Sequence, residues 1–274
     1  MAPPLPARST RVDRATLLEH AGDDPWVRWA LADPLPGEAF VHEGVAVVQR
    51  TGHRPGLWVA PLRPDHPVDL VPSGEALSEE AGRVASALRS VVATGVLQVW
   101  SARSASVPAE HAALGRALLP LTDQGGDWEW MWTTTAPDVD PREQRLHVLD
   151  DLADAHELRA FAHQHNPRVW TRIGEGAVAR WLGVRDDDGS LLAVGGAERE
   201  DSGVPHLAGI LTARHARGRG WGHVVSAALT RWAVEQHGVA TLGMFSDNDV
   251  ARRLYRRLGY RTARRWCSRH LSDG

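Results

Sequence analysis

The 274-residue sequence has no lysine; all 31 of its basic residues are arginine. That excludes any chemistry needing a lysine, including a Gly-Lys-Ser/Thr phosphate loop and a Schiff base. Cysteine is nearly absent. Cys267 stands alone, so neither an intramolecular disulfide nor a cysteine metal cluster can form. No apolar run approaches the roughly 18 residues of a membrane span. The opening "MAPPLPARST" lacks the apolar stretch of a secretory signal. A cytoplasmic protein, with no membrane partner, is the expectation. Excess charge is also missing: the net charge is −3, so the chain as a whole is no polyanion binder.

Apolar residues make up 43% of the chain, enough for one large core or two small ones. The twelve tryptophans are mostly single and suit core and rim packing. Abundant alanine, glycine and arginine fit GC-rich coding.

Along the chain, the first dozen residues read as loose, and helices are expected at 13–20 and 23–32. "EAFVHEG", "VAVVQR" and "GLWVAPLR" read as strands, and "PDHPVDLVPSGEA" as a loop. "SEEAGRVASALRSVV" is amphipathic, with Ser78 as its expected N-cap. "GVLQVWSA" is expected to be a strand, "PAEHAALGRALLPL" a helix opened by Pro108, and "DWEWMWTTT" a strand. The proline-rich, charged stretch 136–143 is the linker candidate. Beyond it the order begins again: strand "QRLHVLD", helix "DLADAHELRAFAHQH", strands "ARWLGVR" and "SLLAVGGAERE" around a turn at Gly189, strand "HLAGILTA". A long helix at 220–237 ends at Gly238. Strand "ATLGMFS", helix "NDVARRLYRRL" and strand "YRTARRWCSRHL" follow. The expected fold class is α/β (α+β) in two similar halves, 1–138 and 139–274, each a mixed, mostly antiparallel sheet flanked by helices.

The chemistry concentrates in "RHARGRGWGH", residues 214–223, between a strand and a helix. A helix N-terminus has unpaired N–H groups and a partial positive charge. Glycines let those N–H groups converge on an anion, and arginine adds a planar fork of donors. Phosphate is the natural occupant. A dinucleotide fingerprint would need glycine where His223 stands. The pattern that remains is Arg/Gln-x-x-Gly-x-Gly/Ala, met by Arg217, Gly220 and Gly222; a purely structural tight turn is the alternative.

With "LGMFSDNDVARRLYRRLGY" following it, residues 144–270 resemble the GCN5-related N-acetyltransferase (GNAT) family, closest to the FR47-like branch. "RGRGWG", Asn248, Ala251, Leu254–Tyr255 and "LGY" at 258–260 carry the likeness. The first half shares only the strand order. It lacks the glycine loop and a tyrosine on its last helix, so it is expected to be a degenerate copy. By resemblance the second half is an acetyl-CoA-dependent N-acetyltransferase acting by direct transfer. Arg217, Gly218, Arg219, Gly220, Trp221 and Gly222 would bind the cofactor pyrophosphate. The backbone of Ile210, Leu211 and Thr212 would pair with the pantetheine arm. Asn248 would bond the same arm, or cap the helix after it. Tyr255, one of two tyrosines, would protonate the leaving thiolate, or be a core residue at helical spacing.

The acceptor would be a small-molecule or peptide amine. Its base is left among Glu198, Glu200, His206 and water. Relatives acting on ribosomal-protein N-termini carry a glutamate where Gly243 stands here. Alternatives are a mycothiol-synthase-like tandem enzyme and a non-catalytic acyl-CoA-binding module. Arg252, Arg253, Arg256 and Arg257 read as a solvated face or a coenzyme A 3′-phosphate contact, with Val250, Leu254 and Leu258 turned to the core. Nucleic acid is not an expected partner; a homodimer is open. A metal site of His163, His165, Asp154 and His156 is conceivable, but chance proximity explains it better, and no metal is expected. Cys267 makes a poor covalent carrier.

Overall fold

The computed structural model describes residues 9–52, 55–62 and 74–272. In chain order it contains β1 (Ser9–Arg11), α1 (Arg14–Ala21), α2 (Pro25–Ala30), β2 (Ala39–His42), β3 (Val45–Arg50), β4 (Gly56–Pro61), α3 (Gly74–Ala93), α4 (Val96–Val99), β5 (Ser104–Pro108), α5 (Ala112–Leu118) and β6 (Leu121–Thr133). There follow β7 (Leu146–Leu149), α6 (Ala155–His165), β8 (Val178–Arg185), β9 (Leu191–Arg199), β10 (Pro205–Thr212), α7 (Trp221–His237), β11 (Ala240–Phe245), α8 (Asp249–Arg257) and β12 (Arg261–Leu271). This is the mixed α/β class expected, with mostly antiparallel strands flanked by helices.

The chain forms two compact units. The first holds Met1–Trp130, Met244–Asp247 and Thr262–Gly274, and the second Met131–Gly243 and Asn248–Arg261. This division differs from a single cut at 138. The final strand pairs antiparallel with β5, Cys267 opposite Val107 and Arg269 opposite Ala105, and so returns to the first unit.

In the first unit β1 to β4 pair antiparallel in succession, and β4 pairs parallel with β5. One sheet face is apolar by alternation. Val47, Leu57, Val59, Val107 and Cys267 join Val84 and Leu88 of α3 in a buried cluster. Elsewhere in this unit, Trp26 of α2 packs edge-on against Trp58 at 5.6 Å and Trp266 at 5.4 Å. Asp24 caps α2 and pairs with buried Arg264 of β12.

The second unit repeats the ladder senses: β7 to β10 antiparallel in succession, then β10 parallel with β11. Helix α7 lies on β8, β9 and β10. A Cβ on Gly195 of β9 would stand 2.5 Å from Ile210 Cδ1 and 2.6 Å from Val225 Cγ1. Glycine there lets the helix approach the sheet.

Several local expectations are corrected. Ser9–Arg11 is a strand on β2, whereas residues 1–8 lie outside the described residues. Most of the expected loop at 64–76 does too. α3 starts at Gly74, so Ser78 lies within the helix and is not its cap. The expected strand "GVLQVWSA" contains helix α4 instead, entered from left-handed Gly95 at φ 68°. A short apolar run fits helix or strand equally. The strand beside β4 is the less apolar Ser104–Pro108, which Pro108 closes before a 3₁₀ turn. A capped 3₁₀ turn, Pro141–Arg145, occupies part of the linker candidate.

Candidate active site

β10 supplies the framework. It pairs with β9 from Pro205 to Ala208 and again at Leu211 and Thr212, with a register shift between. Gly209 sits in that bulge at φ 63°. A Cβ there would lie 2.8 Å from Trp181 Cη2 and 3.1 Å from Thr171 Oγ1. A side chain is therefore excluded by both conformation and space. The parallel register with β11 joins His206 to Thr241 and Leu207 to Leu242. Among the described residues of this unit it goes no further. Ile210, Leu211 and Thr212 thus lie past the end of the parallel ladder, Leu211 and Thr212 paired with β9 on the other side and the Thr212 carbonyl accepting from Arg217 Nε at 3.4 Å.

After Thr212 the chain makes a 3₁₀ turn, Arg214–Ala216, and enters α7 through Gly218 at φ 79° and Gly220 at φ 82°. Gly220 is the N-cap and has no side chain to bond the first-turn N–H groups. A Cβ on Gly218 would meet nothing within 4 Å, and one on Gly222 would sit 3.2 Å from Thr212 Oγ1. Close backbone approach, converging N–H groups and neighbouring guanidinium groups fit a pyrophosphate.

The loop is braced by one of its own arginines and by residues from 140–145 that sequence spacing does not reveal. Arg217 donates from Nη2 to the His165 carbonyl at 3.0 Å. Arg142 donates from Nη1 to the Arg219 carbonyl at 3.1 Å and lies over Trp221 with Arg145. Arg142 is itself held by Asp140, whose carboxyl those hydrogen bonds lower to about 2. Burial, with Arg214, His215 and Arg217 nearby, lowers the His165 pKa and favours the neutral ring.

Asn248 caps α8, its Oδ1 accepting from the Ala251 N–H at 3.0 Å. The structural role is realised, and the amide N–H groups are the part a cofactor arm would use. Tyr255 is 7% exposed and packs edge-on against Tyr260 at 5.7 Å. Burial raises its phenol well above the ordinary value, so it stays protonated at neutral pH. On the same helix Leu258 is buried, Leu254 half-buried and Val250 exposed, the last against expectation. Arg252 pairs with Asp249, and Arg253, Arg256 and Arg257 are exposed.

The base candidates separate. His206 faces Glu198 across the β10–β9 ladder. Its Nδ1 lies 3.0 Å from Thr241 Oγ1, and that hydroxyl donates to the Pro205 carbonyl at 3.2 Å. A hydroxyl has one proton to give, so His206 Nδ1 donates and the neutral ring keeps its Nε2 lone pair free. Glu200 is exposed. Glu198 is half-buried and accepts the Arg172 N–H; burial chiefly raises its pKa. The folded protein therefore binds this proton more tightly than the unfolded chain. The resulting destabilisation sets in as pH rises above about 4.3 and is complete above the raised folded value. Glu198→Gln keeps the acceptor and removes the charge. Its melting temperature is expected to exceed wild type at pH 7, the gap closing below about pH 4. Equal melts at both pH values would contradict that sign.

His163 is exposed and His165 buried, on different sides of α6. Among the described residues no group of three or more His, Cys, Asp or Glu could hold a metal ion, and no helix is long and apolar enough to cross a membrane. Cys267 is buried, which raises its thiol pKa.

Residues 128–260 match the model of the Acetyltransferase (GNAT) family. No curated protein matches the sequence. A GCN5-related N-acetyltransferase from Sphaerobacter thermophilus aligns over 99% of this chain and 98% of its own, at 15% identity and TM-score 0.51. A Drosophila protein from a structural genomics consortium aligns over 94% and 86%, at 16% identity and TM-score 0.55. A structure from Novosphingobium aromaticivorans ascribed to the GNAT family aligns over 54% of this chain and 65% of its own, at 24% identity and TM-score 0.48. The family match over residues 128–260 supports a GNAT acetyltransferase, and the first two of these structures are similar to this chain in fold.

Proposed function

We propose that the second unit is an N-acetyltransferase that moves the acetyl group of acetyl-CoA directly to an amine of a small molecule or peptide. The observation that carries this is one continuous element. β10 is bulged at Gly209 and runs past the end of its parallel ladder, directly ahead of the Gly220-capped start of α7. Arg217, Gly218, Arg219, Gly220, Trp221 and Gly222 hold the pyrophosphate, the backbone of Ile210 to Thr212 the pantetheine arm, and Asn248 its amide. Attack of the amine on the thioester carbonyl builds an oxyanion, which a backbone N–H of the bulged strand stabilises. Tyr255 gives a proton to the departing sulfur. His206 takes the amine proton through water, since it lies three residues, roughly 10 Å, up-strand of the bulge.

The shared succession of ladder senses supports a duplicated ancestry, with the first unit a degenerate copy lacking the loop. The FR47-like branch and a cytoplasmic location belong to the same reading. No metal takes part.

Gly220→Val forces a β-branched residue to positive φ at the helix cap. Acetyl-CoA affinity is expected to fall roughly tenfold or more, the scale of one lost charge-assisted hydrogen bond. Calorimetry reads it, and unchanged affinity in the folded variant rejects the loop assignment. Release of CoA thiol in the presence of an amine panel separates turnover from a binding-only module.

A further inference from the structure

We infer that Ser226 is a positioning residue for Tyr255: its hydroxyl proton is reserved for the phenol oxygen, which leaves the phenol proton free for the sulfur leaving group. This rests on the acetyltransferase reading above.

Ser226 and Thr230 lie one turn apart on α7, both fully buried. The chain's two tyrosines pack against each other, and each has one of these hydroxyls beside it. The Thr230 hydroxyl donates to the Ser226 carbonyl at 2.7 Å. Its single proton is thereby committed, so at the 3.0 Å contact Tyr260 is the donor and Thr230 the acceptor. The Tyr260 proton is locked in the core. The Ser226 hydroxyl has no such obligation: its Oγ is buried and makes no hydrogen bond among the described residues. It can donate to the Tyr255 oxygen, and Tyr255 then keeps its own proton to give away.

The need for such a donor is physical. Burial makes the Tyr255 phenol a weak acid, and the Ser226 hydroxyl acts in the opposite direction. A hydrogen bond that is long before charge develops tightens as the charge appears. In the step itself the carbon–sulfur bond breaks and its electron pair stays on sulfur. The Tyr255 proton moves to that sulfur, giving the thiol. The phenolate accepts the Ser226 hydrogen bond until water returns a proton, the one released by the amine.

The test needs no acceptor, because the thiol of bound CoA reports the same hydrogen bond. Its pKa is read by thiolate absorbance in the full-length protein, against about 8.5 for a free thiol. With Tyr255 donating, the bound value is expected below the free one. Ser226→Ala should raise it by roughly 0.5 to 1, the equivalent of one hydrogen bond. Ser226→Thr should leave it at the wild-type value. In a Tyr255→Phe background Ser226→Ala should change nothing further. The melting temperature of Ser226→Ala should change little, because the buried Ser226 Oγ makes no close hydrogen bond among the described residues before charge develops on the phenol. An unchanged thiol pKa in Ser226→Ala, or an equal shift without the phenol, overturns the inference. Failure of CoA to bind, or a Tyr255→Phe protein with the wild-type thiol pKa, overturns the acetyltransferase roles and this one with them.

Discussion

Tyr255→Phe is expected to lower the rate of acetyl transfer by roughly 10²–10⁴, the usual range for a lost general acid. Acetyl-CoA affinity should change little. The substitution keeps the ring, its burial and its edge-on contact with Tyr260. Only the phenol hydroxyl is removed, so stability should hold. A purely structural Tyr255 predicts the reverse: a lower melting temperature and near-normal turnover in the folded fraction. Slow product release can hide a chemical step. Single-turnover rates, with an amine confirmed by thiol release, are therefore the measurement. Wild-type single-turnover kinetics in the folded variant would remove Tyr255 from the mechanism.

Asp151→Ala is expected to cost on the order of 3 kcal/mol, because it strands buried donors. Asp151 is 8% exposed. Its carboxylate accepts the Gly174 N–H at 3.1 Å, the Gly176 N–H at 2.7 Å and Trp181 Nε1 at 2.8 Å. The loop it ties down also carries Thr171, beside Gly209, and Arg172, whose N–H bonds Glu198. Under the proposed function, loss of the tether should therefore raise the acceptor KM more than it weakens acetyl-CoA binding, since the glycine loop at 217–222 is braced by other residues. Denaturant melts and steady-state kinetics check both effects. A variant with wild-type stability would show that water satisfies those donors.

The candidate site was legible where its requirements are local. Positive-φ glycines at 218 and 220, an N-cap at 248 and a tyrosine two turns later all lie in one stretch of chain. Their spacing carries their geometry. The strand at 104–108 was not legible, because Ser-Ala-Ser-Val-Pro has little apolar alternation and draws its place from β4 and β12. "GVLQVWSA" misled for the opposite reason. Its apolar residues serve a short helix as well as a strand, and the left-handed Gly95 tips the choice.

The sequence by itself determined the fold class, the strand–glycine loop–helix element, the Asn248 cap and the place of Tyr255 on the helix after it, because short-range dihedral preferences and periodicity are written in consecutive residues. Tertiary structure alone decided the rest. Arg142 reaches the Arg219 carbonyl from 77 positions away, and Asp151 reaches Trp181 from 30. The last strand leaves its own half to pair with β5. Ser226 looks like any small residue on a buried helix face until Thr230 and Tyr260 are placed beside it. Hydrogen-bond partnership belongs to pairs of atoms, and which atoms meet is set by packing between distant segments, not by their order along the chain.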